Sequence, residues 1–337
     1  MPRFTFRQFV VITVLTFGLF HQLTLFICDK DTTKGPSNTT IEVVITCATN
    51  KRILNITKKS DSKTLEKLRT LLGSINKTSE ESYIRFNLIS YEEEIPRIES
   101  VLQSTIGLNK KITYRFESLN RIAESYRSEI NLSKNYTWSG DQRFKASDVT
   151  FHLRPLFPKI FSYEKVIALD VDLDFRCSIK LLHKQFENLY ENNIAALAYN
   201  QSPYYRRAFR SYRIKNPGTH IGDFFPGYQG LNTGVMLMNL EKMRSSKVYN
   251  SYFTHASLKT LFRKYNMTSL LGDQDFFTVL GAEHPDLFYI LDCTFNRQMD
   301  SFEFSHSLFD KYHKCDEDIN IYHGNGDSII PSSNVDP

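Results

Sequence analysis

The chain has 337 residues, of which 41% are hydrophobic and 23% charged, enough apolar material for one large core or two small ones and too much for a disordered chain. Its formal charge is +5 and no long Lys/Arg block occurs, so nucleic acid is not an expected partner.

Residues 9–27 form an apolar run broken only by His21 and Gln22, about one bilayer crossing in length. Arg3 and Arg7 precede it, which favours a cytoplasmic tail over 1–8, although Lys30 and Lys34 on the far side weaken the bias. The run is longer than a signal-peptide core and no small-x-small cleavage pattern follows, so an uncleaved transmembrane signal anchor is expected, the mark of a single-pass type II membrane protein. Residues 28–40 then form a short stem and 41–337 a lumenal domain. Seven Asn-x-Ser/Thr acceptors, at Asn38, Asn55, Asn76, Asn131, Asn135, Asn200 and Asn266, agree with a secretory-pathway location. Of the five cysteines, Cys293 and Cys315 are expected to pair across a short loop, and Cys47, inside a predicted strand, to be a buried small apolar residue.

The run 41–46 predicts a buried strand ending in Ala48, Thr49 and Asn50. Leu65, Leu68, Leu72 and Ile75 recur at helical spacing, and Ile84, Phe86 and Leu88 alternate as in a strand. A helix near 92–106, a strand near 112–117 and a helix from Ser118 continue the alternation, which implies an α/β fold with a largely parallel sheet. The polar stretch 131–145 predicts a loop. Ser147-Asp148 then starts an apolar-rich helix, with either residue suited to cap it, and Pro155 and Pro158 interrupt that helix.

The apolar strand 166–169 ends in Asp170-Val171-Asp172. Strand alternation puts both carboxylates on one side, where they can share a divalent cation; an isolated Asp-x-Asp is more often a strand stopping in an acidic turn, so the surroundings must decide. A helix near 178–192, a strand at 194–199 and a Tyr- and Arg-rich segment at 204–213, suited to face an acceptor, come next. A Pro- and Gly-punctuated loop, 216–230, leads to a strand at 231–240 with Asn232 at its entry and glycines close by, which permit close backbone approach. Two helical stretches follow, then Gly272-Asp273-Gln274-Asp275, a helix start whose acids favour its N-terminus regardless of function. A short strand near 319–322 ends in His323-Gly324-Asn325-Gly326.

Three polar clusters therefore sit just after strands: Thr49-Asn50, Asp170-x-Asp172 and His323-Gly324-Asn325. Ligands of open α/β sheets bind outside the carboxyl ends of strands. Brought together, two carboxylates and one imidazole suit Mn²⁺, with Mg²⁺ as the alternative.

With these residues in place, the chain closely resembles the retaining glycosyltransferases of the glycogenin-like family, family 8, which have a GT-A fold and use nucleotide sugars. The resemblance covers nearly all of the predicted lumenal part and is strongest over 167–175, 230–244, 271–281, 291–300 and 321–331. It implies a GT-A catalytic domain in which Asp170, Asp172 and His323 hold the metal beside the UDP diphosphate. It assigns Thr49, Asn50, Ser147, Asp148, Asn232, Gly324, Asn325 and Gly326 to the nucleotide sugar. Gln274, Asp273 and Asn232 fall at the donor sugar and in catalysis, Gln274 nearest the anomeric carbon, and Phe295, Asn296, Arg297 and Gln298 fall beside the acceptor.

The branch most similar to this chain transfers xylose from UDP-α-xylose to xylose already on a protein O-glycan. That implies an α1,3 linkage, an acceptor of xylosyl-glucose on epidermal-growth-factor-like repeats of Notch-type receptors, and a home in the endoplasmic reticulum membrane or the Golgi. Two departures stand out: Ile329 stands at the Lys position of the wider family's His-x-x-Gly-x-x-Lys, a Lys that branch also lacks, and Phe295 stands where the branch usually has Trp. A glucoside xylosyltransferase or another UDP-hexose transferase of the same fold, and a silent lumenal glycan-binding module, are the alternatives.

Overall fold

A computed structural model describes residues 40–48, 58–79, 81–137, 148–267, 271–300 and 306–331. The predicted tail, anchor and almost all of the stem lie outside the described residues, among which no helix is long and apolar enough to cross a membrane. Described residues belong to one compact unit, Thr40–Pro337.

The strands are β1 (Ile41–Thr46), β2 (Ile84–Ser90), β3 (Ile112–Ser118), β4 (Lys165–Leu169), β5 (Leu173–Phe175), β6 (Ala195–Tyr199), β7 (Leu231–Asn239), β8 (Phe288–Ile290), β9 (Arg297–Gln298) and β10 (Ile321–His323). Seven of them form one sheet in the order β3-β2-β1-β4-β7-β6-β8, and β5-β10-β9 form a second. In the large sheet β7 alone runs against its neighbours, pairing antiparallel with β4 and β6; the other pairs are parallel. Strands buried on both faces read as apolar runs rather than alternations, as in Val43-Val44-Ile45 and Val166-Ile167-Ala168-Leu169.

A core lies on each face of the sheet. Val43, Ile45, Ile167 and Leu169 point into one with Leu68, Leu72 and Ile75 of helix Lys58–Thr78. Val44, Val166 and Ala168 point into the other with Phe276, Phe277 and Leu280 of helix Asp273–Glu283. The period-2 alternation along β1 and β4 thus feeds both cores at once.

Most predicted elements stand within a few residues, and Ser118 caps helix Leu119–Ser125 by accepting from the Arg121 N–H. Three readings change. The stretch 131–137 belongs to helix Arg127–Thr137, so Asn131 and Asn135 lie on a helix rather than a loop. The prolines interrupt the stretch after Asp148 as expected, but the start expected to be helical is itself a short turn, so the segment is three short turns at Val149–His152, Arg154–Leu156 and Phe157–Ile160. Three helices, not two, link β7 to residue 266: Leu240–Ser245, Lys247–Ser251 and His255–Tyr265. The Cys293–Cys315 disulfide is present and Cys47 is buried.

Candidate active site

Asp170 and Asp172 converge, but not by strand alternation. β4 ends at Leu169 and β5 starts at Leu173, so Asp170-Val171-Asp172 is the turn that carries the chain from the large sheet to the small one. Its two ends are pinned by different strands. The Asp170 N–H donates to the Gly234 carbonyl of β7 (2.9 Å), and the Gly324 N–H, just past β10, donates to the Asp172 carbonyl (2.8 Å).

The antiparallel β4–β7 register, Leu169 against Val235, brings the entry of β7 to the carboxyl end of β4. The β5–β10 register, Leu173 against His323, brings the imidazole to the same place. His323 Nε2 lies 3.5 Å from Asp170 Oδ2 and 3.3 Å from Asp172 Oδ1. One ligand atom from each residue falls within 4.8 Å of the other two.

The imidazole is aimed by two side-chain amides. Asn296 Nδ2 donates to Asn232 Oδ1 (2.9 Å), which also accepts the Gly234 N–H (2.9 Å). That leaves Asn296 Oδ1 as the acceptor facing His323 Nδ1 at 2.9 Å, so Nδ1 carries a proton and Nε2 faces the carboxylates. Gly234 makes the room: a Cβ there would stand 2.2 Å from His323 Cε1.

Electrostatics agree with a cation site. Burial opposes a charged imidazole, yet hydrogen bonds and charge from Asp170 and Asp172 outweigh it and push His323 up to about 9. Burial likewise opposes the Asp170 carboxylate, but Arg154 and His323 hold it well below the usual range. Asp172 is also lowered, with His323 and Lys67 overcoming burial and the Asp170 charge. Two ionised carboxylates and an imidazole oriented through its far nitrogen are a fitting donor set for Mn²⁺ or Mg²⁺.

Two cations that motif reasoning missed border the cluster. Arg154, 9% exposed, bridges Asp170 and Asp273, donating to Asp170 Oδ1 and, at 3.3 Å, to Asp273 Oδ2. Its signal was a lone charge inside the apolar, Pro-rich stretch 149–158, a context that demands a buried partner. Lys67, from helix Lys58–Thr78, lies 3.3 Å from Asp172 Oδ2 and 2.7 Å from Asp327 Oδ1. Nothing in the sequence marks it among the other surface lysines of an amphipathic helix.

The other expected site residues divide clearly. Thr49, Asn50 and Ser147 lie outside the described residues. Asp148 is buried and caps its turn, accepting from the Thr150 N–H at 2.8 Å. Asp273 is buried, and desolvation raises it to about 6 despite Arg154. Gln274 is the half-buried member of its helix turn, between buried Asp273 and Asp275. Asn325 Oδ1 accepts from the Met299 and Asp300 N–H groups, each at 3.0 Å, tying the loop after β10 to that after β9. Gly324 is buried against Asp172, and Gly326 lies exposed in the same loop.

The expected acceptor block needs correction. Phe295, Asn296 and Gln298 are 6%, 0% and 2% exposed, so their side chains support the site from beneath instead of facing an acceptor. Asn296 is committed to His323 and Asn232, while Gln298 accepts from the Gln201 N–H (2.9 Å) and donates to the Tyr199 carbonyl (2.9 Å). Arg297 is half-buried and donates to the His313 carbonyl. Asp174, in β5, pairs with Arg176 at 2.8 Å.

Comparison with known proteins gives one consistent answer. The chain is 33% identical over 278 residues to mouse Xyloside xylosyltransferase 1, which covers 79% of this chain and 70% of the relative. It is 40% identical over 191 residues to human Xyloside xylosyltransferase 1, covering 55% of this chain and 49% of that one. The crystal structure of mouse Xyloside xylosyltransferase 1, apo form, superposes with a TM-score of 0.78 at 29% identity, covering 87% of this chain and 100% of that chain. The family model described as Glycosyl transferase family 8 matches residues 55–328, and the α/β architecture with its mostly parallel sheet agrees with the GT-A fold. The chain belongs to glycosyl transferase family 8.

Proposed function

We propose that this chain is a metal-dependent, retaining xylosyltransferase that moves xylose from UDP-α-xylose to a xylose already present on a protein O-glycan, forming an α1,3 linkage. The observation that carries the reading is the convergence of Asp170, Asp172 and His323 at one point, in a chain similar over most of its length to Xyloside xylosyltransferase 1. Asp170, Asp172 and His323 Nε2 would hold the cation, Mn²⁺ or alternatively Mg²⁺, which when bound supplies Lewis-acid stabilisation of the departing diphosphate.

The chain's own residues account for the rest. Ile329, at the position of the wider family's Lys, is 90% exposed and has no charge to offer. Among the described residues, Lys67 and Arg154 are the Lys and Arg side chains in contact with Asp172 and Asp170, and they would share the diphosphate charge. Gln274 faces the anomeric carbon from the first turn of its helix. An amide is a poor nucleophile beside a carboxylate, so retention proceeds by front-face attack, with the leaving phosphate oxygen accepting the acceptor's proton. Asp273 keeps Arg154 in place.

The acceptor is the xylosyl-glucose of epidermal-growth-factor-like repeats, and the enzyme is a type II protein of the endoplasmic reticulum membrane, or of the Golgi, with its domain lumenal. A panel of UDP-sugars against glucosyl and xylosyl peptides tests this. UDP release that requires both UDP-xylose and a xylosyl acceptor supports it. Transfer to glucosyl acceptors alone assigns a glucoside xylosyltransferase, and binding without transfer assigns a glycan-binding module.

A further inference from the structure

Tyr205 is fully buried, and its environment is built around its hydroxyl. Gly230, at φ +84, leaves the space for the ring: a Cβ there would stand 2.2 Å from Tyr205 Cδ2. The phenol O–H donates to Asp275 Oδ1 (3.0 Å), while Asp275 Oδ2 accepts the Leu271 N–H (2.6 Å). Burial, reinforced by the Asp275 charge, holds the phenol's pKa well above its ordinary value, so the proton stays on Tyr205.

A hydroxyl has one proton. With that proton given to Asp275, Tyr205 can only accept on its other side, and there Gln274 Nε2 donates to it at 3.2 Å. The opposite end of the same amide is also held, because Gln274 Oε1 accepts the Thr233 N–H at 3.4 Å. Thr233 sits in β7 between Asn232 and Gly234, the residues that aim and seat His323. The carbonyl end of Gln274 is therefore turned toward the metal-site strand, and the NH₂ end away from it.

We propose that Asp275 and Tyr205 form a positioning relay that selects one of the two orientations of the Gln274 side-chain amide, presenting its carbonyl oxygen rather than its NH₂ to the sugar donor, and that the rate of transfer depends on this selection. The inference rests on the reading of Gln274 as the group facing the anomeric carbon. Positive charge develops on that carbon as the bond to UDP lengthens, and a carbonyl oxygen stabilises it whereas an NH₂ group repels it. Neither Tyr205 nor Asp275 need touch substrate.

Asp275→Asn is the informative variant, since it keeps the shape of the side chain. Its single oxygen satisfies the Leu271 N–H and its NH₂ then faces Tyr205; the Thr278 hydroxyl that also meets Tyr205 is already engaged with the Leu231 N–H and carbonyl, so the phenol proton turns to Gln274 and the amide flips. The test measures kcat and donor KM with UDP-xylose, Mn²⁺ and a xylosyl-glucosyl peptide for Asp275→Asn, Tyr205→Phe, Gln274→Ala and the double variant Tyr205→Phe/Gln274→Ala. Asp275→Asn and Tyr205→Phe should each lower kcat by about tenfold or more with donor KM within about twofold. Tyr205→Phe should add nothing further in the Gln274→Ala background.

Losses that multiply independently in the double variant, or losses that appear in KM alone, would overturn the relay and leave the reading of Gln274 standing. Wild-type kcat in Gln274→Ala would overturn that reading and the relay with it. A readout free of turnover covers an inactive Gln274→Ala: in protein labelled with ¹⁵N-glutamine, the Gln274 amide should show one N–H protected from exchange, and Asp275→Asn or Tyr205→Phe should abolish that protection. Protection retained in a folded variant refutes the proposal.

Discussion

Replacing Gly234 with Ala perturbs the metal site without substituting any of its ligands. The added Cβ would stand 2.2 Å from His323 Cε1 and 2.6 Å from Nδ1. Ordinary carbon–carbon contact is about 3.5 Å, so one partner must retreat by about 1.3 Å. β7 cannot, because it lies between β4 and β6 with all nine residues buried. The imidazole must move, and a shift of that size exceeds the ~0.2 Å tolerance of metal–ligand distances. It also breaks the 2.9 Å bond from His323 Nδ1 to Asn296. Losing such an outer hydrogen bond alone costs roughly 10–100-fold in metal affinity, and displacing the ligand nitrogen should cost at least that much. Overpacking adds about 1–3 kcal/mol of lost stability. The assay is calorimetric titration of Mn²⁺ into wild-type protein and the Ala variant, with urea unfolding alongside. A folded Gly234→Ala variant that binds Mn²⁺ with wild-type affinity would refute the reasoning.

Three further outcomes follow from the same structure. His323 is pushed up to about 9 in the metal-free protein, so at pH 7 a cation must displace its proton; Mn²⁺ affinity should rise about tenfold per pH unit from 7 and level off above 9, and calorimetry in buffers of different ionisation enthalpy should show about one proton released. Binding heats independent of the buffer would contradict this. Arg154→Met strands Asp273, already raised to about 6, beside Asp170; the change should abolish transfer and cost about 3–5 kcal/mol near neutral pH. That cost should shrink as the pH falls and Asp273 takes up a proton, and a urea midpoint equal to wild type at pH 7.5 would count against the ion-pair account. Removing the Cys293–Cys315 disulfide by paired Ser substitution opens a crosslink spanning 22 residues and should cost about 3 kcal/mol in urea unfolding, whereas an unchanged midpoint would mean that surrounding contacts already hold the segment.

Much of the fold was legible because buried strands such as 41–46 and 166–169 are short apolar runs, and helix Lys58–Thr78 shows its periodicity plainly in Leu65, Leu68, Leu72 and Ile75. The metal cluster was legible for a different reason. Asp170, Asp172 and His323 each stand at the end of an apolar strand, where chain pattern and ligand chemistry coincide. Their geometry was not legible, because alternation within one strand cannot show that the chain leaves the sheet at Asp170 and enters another at Leu173. The acceptor block was misplaced for a related reason: an Asn or Gln in a polar-looking segment gives no sign that its amide will be spent on a neighbour. Asn296 meets His323, 27 positions later, and Gln298 meets Gln201, 97 positions earlier. Arg154 and Lys67 are likewise defined by partners far along the chain. A glycine within a strand carries more information, and Gly234 proves to be the seat of an imidazole.

Proline spacing governs the stretch after Asp148. Pro155 and Pro158 lack the N–H groups that a continuous helix would need, and the chain takes three short turns instead. Those turns set Arg154 between Asp170 and Asp273.

The central claim is tested most directly by the stereochemistry and metal dependence of a single transfer. Purified residues 41–337, UDP-α-xylose, Mn²⁺ and a xylosyl-glucosyl peptide should yield a product whose new anomeric proton is α by NMR. The product should be lost on chelation and undetectable with Asp172→Ala. A β product, or transfer that survives both chelation and Asp172→Ala, would contradict the account.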